Sequence, residues 1–204
     1  MNSSRRCAAS LPDADQLLKE VRACTVCAKA LPAGPRPVVQ FAPASRIVIV
    51  GQAPGSRVHR SGVPWDDPSG DRLRDWTGLS KAEFYDPAKV ALMPMGFCYP
   101  GKGKSGDLPP RRECAPLWHE QILSLLQGRQ LTLLVGAYAQ AHYLRTRNLT
   151  EAVRDFAQQP AGLFPLPHPA WRSAIWMRRN PWFEADVLPA LRTAVRRALS
   201  GEKK

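Results

Sequence analysis

The chain has 204 residues, and its 29 lysines and arginines against 17 aspartates and glutamates leave a formal net charge of +12. That length suits a single domain with a core large enough to need no disulfide framework, and the charge favours a polyanionic partner, most often nucleic acid, because each phosphate contact releases a counterion. No stretch reaches the ~20 apolar residues of a membrane span and the start lacks the apolar core of a signal peptide, so no membrane association and a cytoplasmic location are expected.

Residues 1–12 read as a disordered tail and 13–204 as one domain. From Asp13, the apolar positions Leu17, Leu18 and Val21 take the spacing of one helical face, which ends at Cys24. Pro32, Gly34, Pro35, Pro37 and Pro43 make residues 28–45 an irregular connection. The run Arg46-Ile47-Val48-Ile49-Val50 reads as a buried parallel strand, and it delivers the turn Gly51-Gln52-Ala53-Pro54-Gly55 to a sheet edge, where open α/β folds place their ligands. Glycines there let the backbone approach a planar or anionic group, and Gln52 offers an amide.

A polar loop over 56–70 follows, carrying His59, Trp65, Asp66 and Asp67, the inventory of a pocket that stacks a flat ligand and handles protons. The blander alternative has Trp65 plugging the core and Asp67 or Ser69 capping a short helix over 71–76. A second strand is expected over 90–93, then a Gly-, Lys- and Pro-rich loop over 99–112 and a helix over 113–127 with Leu117, Ile122, Leu125 and Leu126 turned to the core. Residues 131–135 form the third strand and 137–145 the next helix, and Thr150 caps a helix over 151–156.

Residues 162–166 are a weaker strand, because Pro165 removes a ladder donor. This strand presents His168 between Pro167 and Pro169, followed by Trp171, Arg172, Trp176, Arg178 and Arg179, a mixture that suits stacking on bases and holding phosphates. Asn180-Pro181 starts the last helix, which Pro189 kinks or divides. Strands alternating with helices give an α/β fold with a parallel sheet covered on both faces.

Cys24 and Cys27 form a C-x2-C pair, with Cys98 and Cys114 far downstream and Cys7 a bystander in the tail. Four thiolates point to a metal site, and zinc and an iron–sulfur cluster both fit them.

The ordered set Cys24-x2-Cys27, Gly51-Gln52-Ala53-Pro54-Gly55, Gly62-Val63-Pro64-Trp65, Cys98, Cys114 and His168-Pro169-Ala170 resembles the uracil-DNA glycosylase superfamily, and within it the iron–sulfur branches called families four and five. The resemblance implies a three-layer αβα sandwich with a central four-stranded parallel sheet, a structural 4Fe-4S cluster held by Cys24, Cys27, Cys98 and Cys114, and a monomer that hydrolyses the N-glycosidic bond of a flipped-out deaminated base in DNA. Trp65 stands where the family has a base-stacking Phe. His168 falls on the late-motif histidine that holds the negative charge developing on the base. Gln52 replaces the Glu of family four, Val58 and His59 replace acidic residues, and Pro94 replaces the Asn that reads uracil. Asp67-Pro68-Ser69-Gly70-Asp71 is similar to family five, whose Asp at that position is thought to activate water.

Breaking the bond builds positive charge on the sugar and negative charge on the base, so a carboxylate near one and a donor near the other lower the barrier. Asp67 and His168 are expected in these roles, with Gln52 supporting them and Asp66 in reserve. Gly51, Ala53, Gly55, His59, Trp65 and Asp66 are expected to line the base pocket, and Trp171, Arg172, Arg178 and Arg179 to contact DNA. A damage-sensing module of the same fold without turnover is the alternative, and a zinc-bound nucleotide-processing enzyme a third.

Overall fold

Runs that are apolar on both sides must be covered twice, and this requirement sets the architecture. In the computed structural model, which describes residues 13–146, 148–171 and 173–201, the strands are β1 (Ile47–Val50), β2 (Val90–Leu92), β3 (Lys102–Gly103), β4 (Gly106–Asp107), β5 (Leu131–Val135) and β6 (Leu163–Leu166). Four of them form one parallel sheet in the order β2-β1-β5-β6, while β3 and β4 pair antiparallel in a separate hairpin. Pro165 lies in β6 at the sheet edge, where a missing ladder donor is tolerated. The expected tail over 1–12, and Cys7 with it, lies outside the described residues.

The helices are α1 (Ala14–Arg22), α2 (Ser56–Ser61), α3 (Pro68–Thr77), α4 (Lys81–Phe84), α5 (Glu120–Leu125), α6 (Ala137–Tyr143), α7 (Leu149–Arg154), α8 (Ser173–Arg179) and α9 (Leu188–Ser200). Alternate strand residues face opposite layers. Ile47 and Ile49 pack with Leu73 and Trp76 of α3, Val153 of α7 and Leu191 and Val195 of α9. Val48 and Val50 pack with Leu17 and Val21 of α1, Ile122 of α5 and Ala139 of α6. The chain is therefore an αβα sandwich around a four-stranded parallel sheet, as expected. No helix among the described residues is long and apolar enough to cross a membrane.

Several local expectations are corrected. Residues 56–61 are a helix rather than loop: Val58 is its one buried side chain, too few to leave a periodic trace, and Gly62 closes it in the left-handed conformation at φ 72°. The helix over 113–127 is α5 preceded by a π turn, Ala115–His119. The extra residue in that turn rotates the buried face, so Trp118 and His119 point inward and Leu117 is exposed. Asn148, not Thr150, caps α7, and Thr150 instead accepts a hydrogen bond from the Trp176 indole at 3.0 Å. Asn180 closes α8 through the Trp176 carbonyl, and Pro189 sits in the first turn of α9 behind a second π turn, Phe183–Val187.

His119 is 3% exposed, its Nδ1 lies 2.7 Å from the Tyr143 hydroxyl and its Nε2 3.1 Å from the Pro94 carbonyl. The carbonyl can only accept, so Nε2 carries the proton and the imidazole is neutral, with the Tyr143 hydroxyl donating to Nδ1. Burial lowers the pKa of His119 to about 4, with a smaller contribution from His142. The unfolded chain takes up this proton near pH 6.5 and the folded chain does not, so stability is fully present above about 6.5 and falls as pH drops towards 4. Urea unfolding is expected to show a loss on the order of 3 kcal/mol across that window, and His119→Phe to flatten the slope.

Candidate active site

The turn after β1 is held from the neighbouring strand: the Met95 and Gly96 amides donate to the carbonyls of Gly51 and Gln52 at 2.9 and 3.0 Å. A Cβ on Gly51 would lie 2.6 Å from Cζ2 of Trp65, so the indole rests directly on the glycine backbone. Trp65 itself has φ 57°, a left-handed conformation that costs a bulky residue about 1–3 kcal/mol. Its carbonyl packs so closely on Gly70 that a Cβ there would be 1.8 Å away. Gly51 thus seats the ring of Trp65 and Gly70 its backbone.

Asp67 is the N-cap of α3, its Oδ1 accepting from the Gly70 amide at 2.8 Å. The blander reading of Asp67 is therefore true, and it does not compete with the functional one, because the capping bond orients the carboxylate beside the cavity. His168 follows β6 across the sheet. The Gln140 amide donates to the carbonyls of Leu134 and Leu166 at 3.3 and 2.9 Å, tying the ends of β5 and β6 together. The His168 carbonyl accepts from the Ala170 amide at 2.9 Å and from the Ser173 hydroxyl, while Arg72 donates to the Ala170 carbonyl at 2.6 Å. The imidazole stacks against Trp65 with centroids 5.8 Å apart and planes 29° apart. Burial lowers its pKa, and the nearby Asp67 charge opposes that shift without reversing it, so His168 is neutral at pH 7.

These groups surround one cavity of about 480 Å³ outside the carboxyl ends of the strands, within the size range of small-ligand sites. Gly51, Gln52, Ala53 and Gly55 line one side; Trp65, Asp67, His168 and Trp171 line the rest. Asp66 and His59 do not line it. His59 sits on α2 with its ring 5.9 Å from that of Tyr99, because the helical turn of 56–61 carries it behind the wall. Trp171, 71% exposed, stands at the rim.

The stretch expected as an Arg-rich DNA loop is helical from Ser173 onward. Arg178 and Arg179 are exposed on α8 away from the cavity, and Trp176 packs edge-on against Trp182 and Phe183. Arg172 lies outside the described residues. Pro94, which the resemblance puts in place of a base-reading Asn, lines the cavity, and so do the hairpin residues Ser105–Leu108, which the sequence places only in a loop over 99–112. Gly103-Lys104-Ser105-Gly106 carries the glycine spacing of a short hairpin and was the available signal.

A second cleft brings Cys24, Cys27, Cys98 and Cys114 together from three distant segments. All four are free thiols, and burial, with smaller contributions from its neighbouring cysteines, pushes Cys114 up to about 11. Arg111 and Trp118 line the same cleft, and the Arg111 Nε and Trp118 Nε1 donors are buried with no hydrogen-bond partner. No group of three or more His, Cys, Asp or Glu side chains among the described residues stands ready to hold a metal ion.

The family model described as the Uracil DNA glycosylase superfamily matches residues 38–192, from the segment before β1 into α9. The match takes in both strands that frame the cavity, together with Asp67 and His168, and spans well over half of the chain. The members of that superfamily are glycosylase hydrolases that act on DNA, and this chain belongs to it.

Proposed function

We propose that the protein is a DNA repair glycosylase that hydrolyses the N-glycosidic bond of uracil or another deaminated base flipped out of DNA. The observation that carries this reading is the convergence of Asp67 and His168 on one cavity floored by the Trp65 ring. The base stacks on Trp65. As the C1′–N bond breaks, its electron pair moves onto the base and the sugar becomes an oxocarbenium-like cation. Asp67 stabilises that cation and orients water towards C1′, and the neutral His168 imidazole donates to the base as it leaves with negative charge. Trp171 at the rim, with Ile175 of α8 45% exposed beside that segment, supplies apolar surface to fill the vacated stack. The net charge of +12 holds the duplex.

An incision panel of uracil, hypoxanthine, xanthine and thymine opposite each base, in single- and double-stranded oligonucleotides, tests this reading; alkali-labile sites at one or more deaminated bases are expected, and none at any of them overturns it. His168→Ala is expected to reduce cleavage most for bases that leave poorly as anions. Because the pKa of His168 is lowered, protonation of this imidazole sets in only below about pH 6.5, and any acid limb it causes in the single-turnover rate lies there.

We propose that the four-cysteine cleft takes a 4Fe-4S cluster, which needs one thiolate on each of four irons, and not a single ion, which would need three or more side chains gathered on it. Four thiols converge on one void, and the two orphaned buried donors, Arg111 Nε and Trp118 Nε1, suit the sulfides of such a cluster. Cys24, Cys27, Cys98 and Cys114 would hold it. The cluster, when bound, would supply a cross-link between α1, the loop after β2 and the start of the π turn, and take no part in the hydrolysis.

A further inference from the structure

The cavity holds a second carboxylate that the mechanism above leaves unused. Asp107 ends β4 and lines the cavity from the hairpin side. Its Oδ2 would lie 3.5 Å from a Cβ on Gly55, so the carboxylate reaches the far end of the turn after β1. Its Oδ1 accepts from the Tyr99 hydroxyl at 3.4 Å. The Tyr99 ring leans on His59, and the His59 amide donates to the Gly55 carbonyl at 2.8 Å. The turn therefore carries a stacking ring at Gly51 and a braced carboxylate at Gly55.

We infer that Asp107 selects the flipped base, taking bases whose outer edge presents a lactam N–H. This inference rests on the glycosylase reading and names the substrate class of the same site. Deamination replaces C–NH2 by C=O and places a proton on the adjacent ring nitrogen, turning an acceptor into a donor. An ionised carboxylate only accepts. With Tyr99 on Oδ1, an Oδ2 aligned on the ring nitrogen meets the N–H of uracil, hypoxanthine or xanthine, whereas cytosine and adenine bring a ring lone pair to that point and offer a donor only from the adjacent exocyclic amino group. Guanine and thymine, already lactams, are not rejected by this contact. Pro94, also in the cavity wall, has no side-chain group that could read the base, and Asp107 supplies that reading from a different element. The negative charge of Asp107 opposes the charge on a departing base, so its contribution belongs to binding rather than to the bond-breaking step.

The test uses duplexes carrying the non-hydrolysable 2′-fluoro-2′-deoxyuridine or its N3-methyl derivative, each opposite an abasic site so that pairing is the same for both. Equilibrium binding is measured for the wild-type protein, Asp107→Ala and Asp107→Asn, with undamaged duplex as the folding control. The wild-type protein is expected to favour N–H over N-methyl by about tenfold or more, Asp107→Ala to bring that ratio close to one, and Asp107→Asn, whose amide oxygen still accepts, to restore part of it. A wild-type ratio near one, or a ratio that survives in Asp107→Ala, overturns the inference. Binding is read without turnover, so failure of the glycosylase reading shows separately, as a wild-type protein that releases no base from the incision panel.

Discussion

Asp67→Asn is expected to lower the single-turnover rate of base release by about 10²–10⁴-fold while leaving DNA affinity nearly intact. The structure makes this a clean substitution. Asp67 Oδ1 caps α3 through the Gly70 amide, and Asn is as good a cap as Asp, so the helix start and the approach of Gly70 to Trp65 survive. What disappears is the negative charge on the cavity wall, which in the proposed mechanism matters only as the cation forms. Asp67→Ala would confound the two effects, because losing the cap alone costs about 1 kcal/mol. Asp66→Asn is expected to be mild, since Asp66 does not line the cavity. Equal losses in Asp66→Asn and Asp67→Asn, or a loss confined to binding, would reject the assigned role.

Cys98→Ser is expected to yield colourless, poorly folded protein, whereas Cys7→Ser leaves colour and stability unchanged. Cys98 ends the segment 93–98, whose backbone is knitted into the site: Met95 and Gly96 donate to Gly51 and Gln52, and the Phe97 carbonyl accepts from Val38 at 2.7 Å. If a cluster staples Cys98 and Cys114 to the α1 end of the chain, its loss releases the support under the Gly51–Gly55 turn, and cleavage falls together with the thermal midpoint. Absorbance in the visible blue, iron and sulfide content, and thermal unfolding read the three consequences. Purified protein with stoichiometric zinc and no iron would reject the cluster.

Strands β1, β2 and β5 and the turn after β1 were legible in the chain because each apolar run is short, continuous and closed by glycine or proline, whereas the β3–β4 hairpin has no apolar run and reads as loop. The weak strand expected over 162–166 was legible too, and the structure puts its proline at the sheet edge. Features that depend on a single buried residue were hidden. Val58 anchors α2 alone among polar neighbours, and the π turn before α5 shifts the buried face by one position, from Leu117 to Trp118 and His119.

The sequence by itself determined the chemistry available: which carboxylates, imidazoles, thiols and rings exist, and that the Gly51–Gly55 turn and His168 sit at strand ends. Only the tertiary structure decided which of them share a cavity. Asp67 and Asp66 are adjacent in sequence, yet the cap on α3 sets one beside the site and leaves the other out. Trp171 and Trp176 both looked like partners for bases, but the first stands at the rim while α8 packs the second, half-buried, against the core with its indole on Thr150. Asp107 and Gly55 lie far apart along the chain and meet only because the β3–β4 hairpin folds back over the turn. Residue type is local information; such meetings are set by how the sheet order, the helix caps and the hairpin place distant segments, and no periodicity in the chain records them.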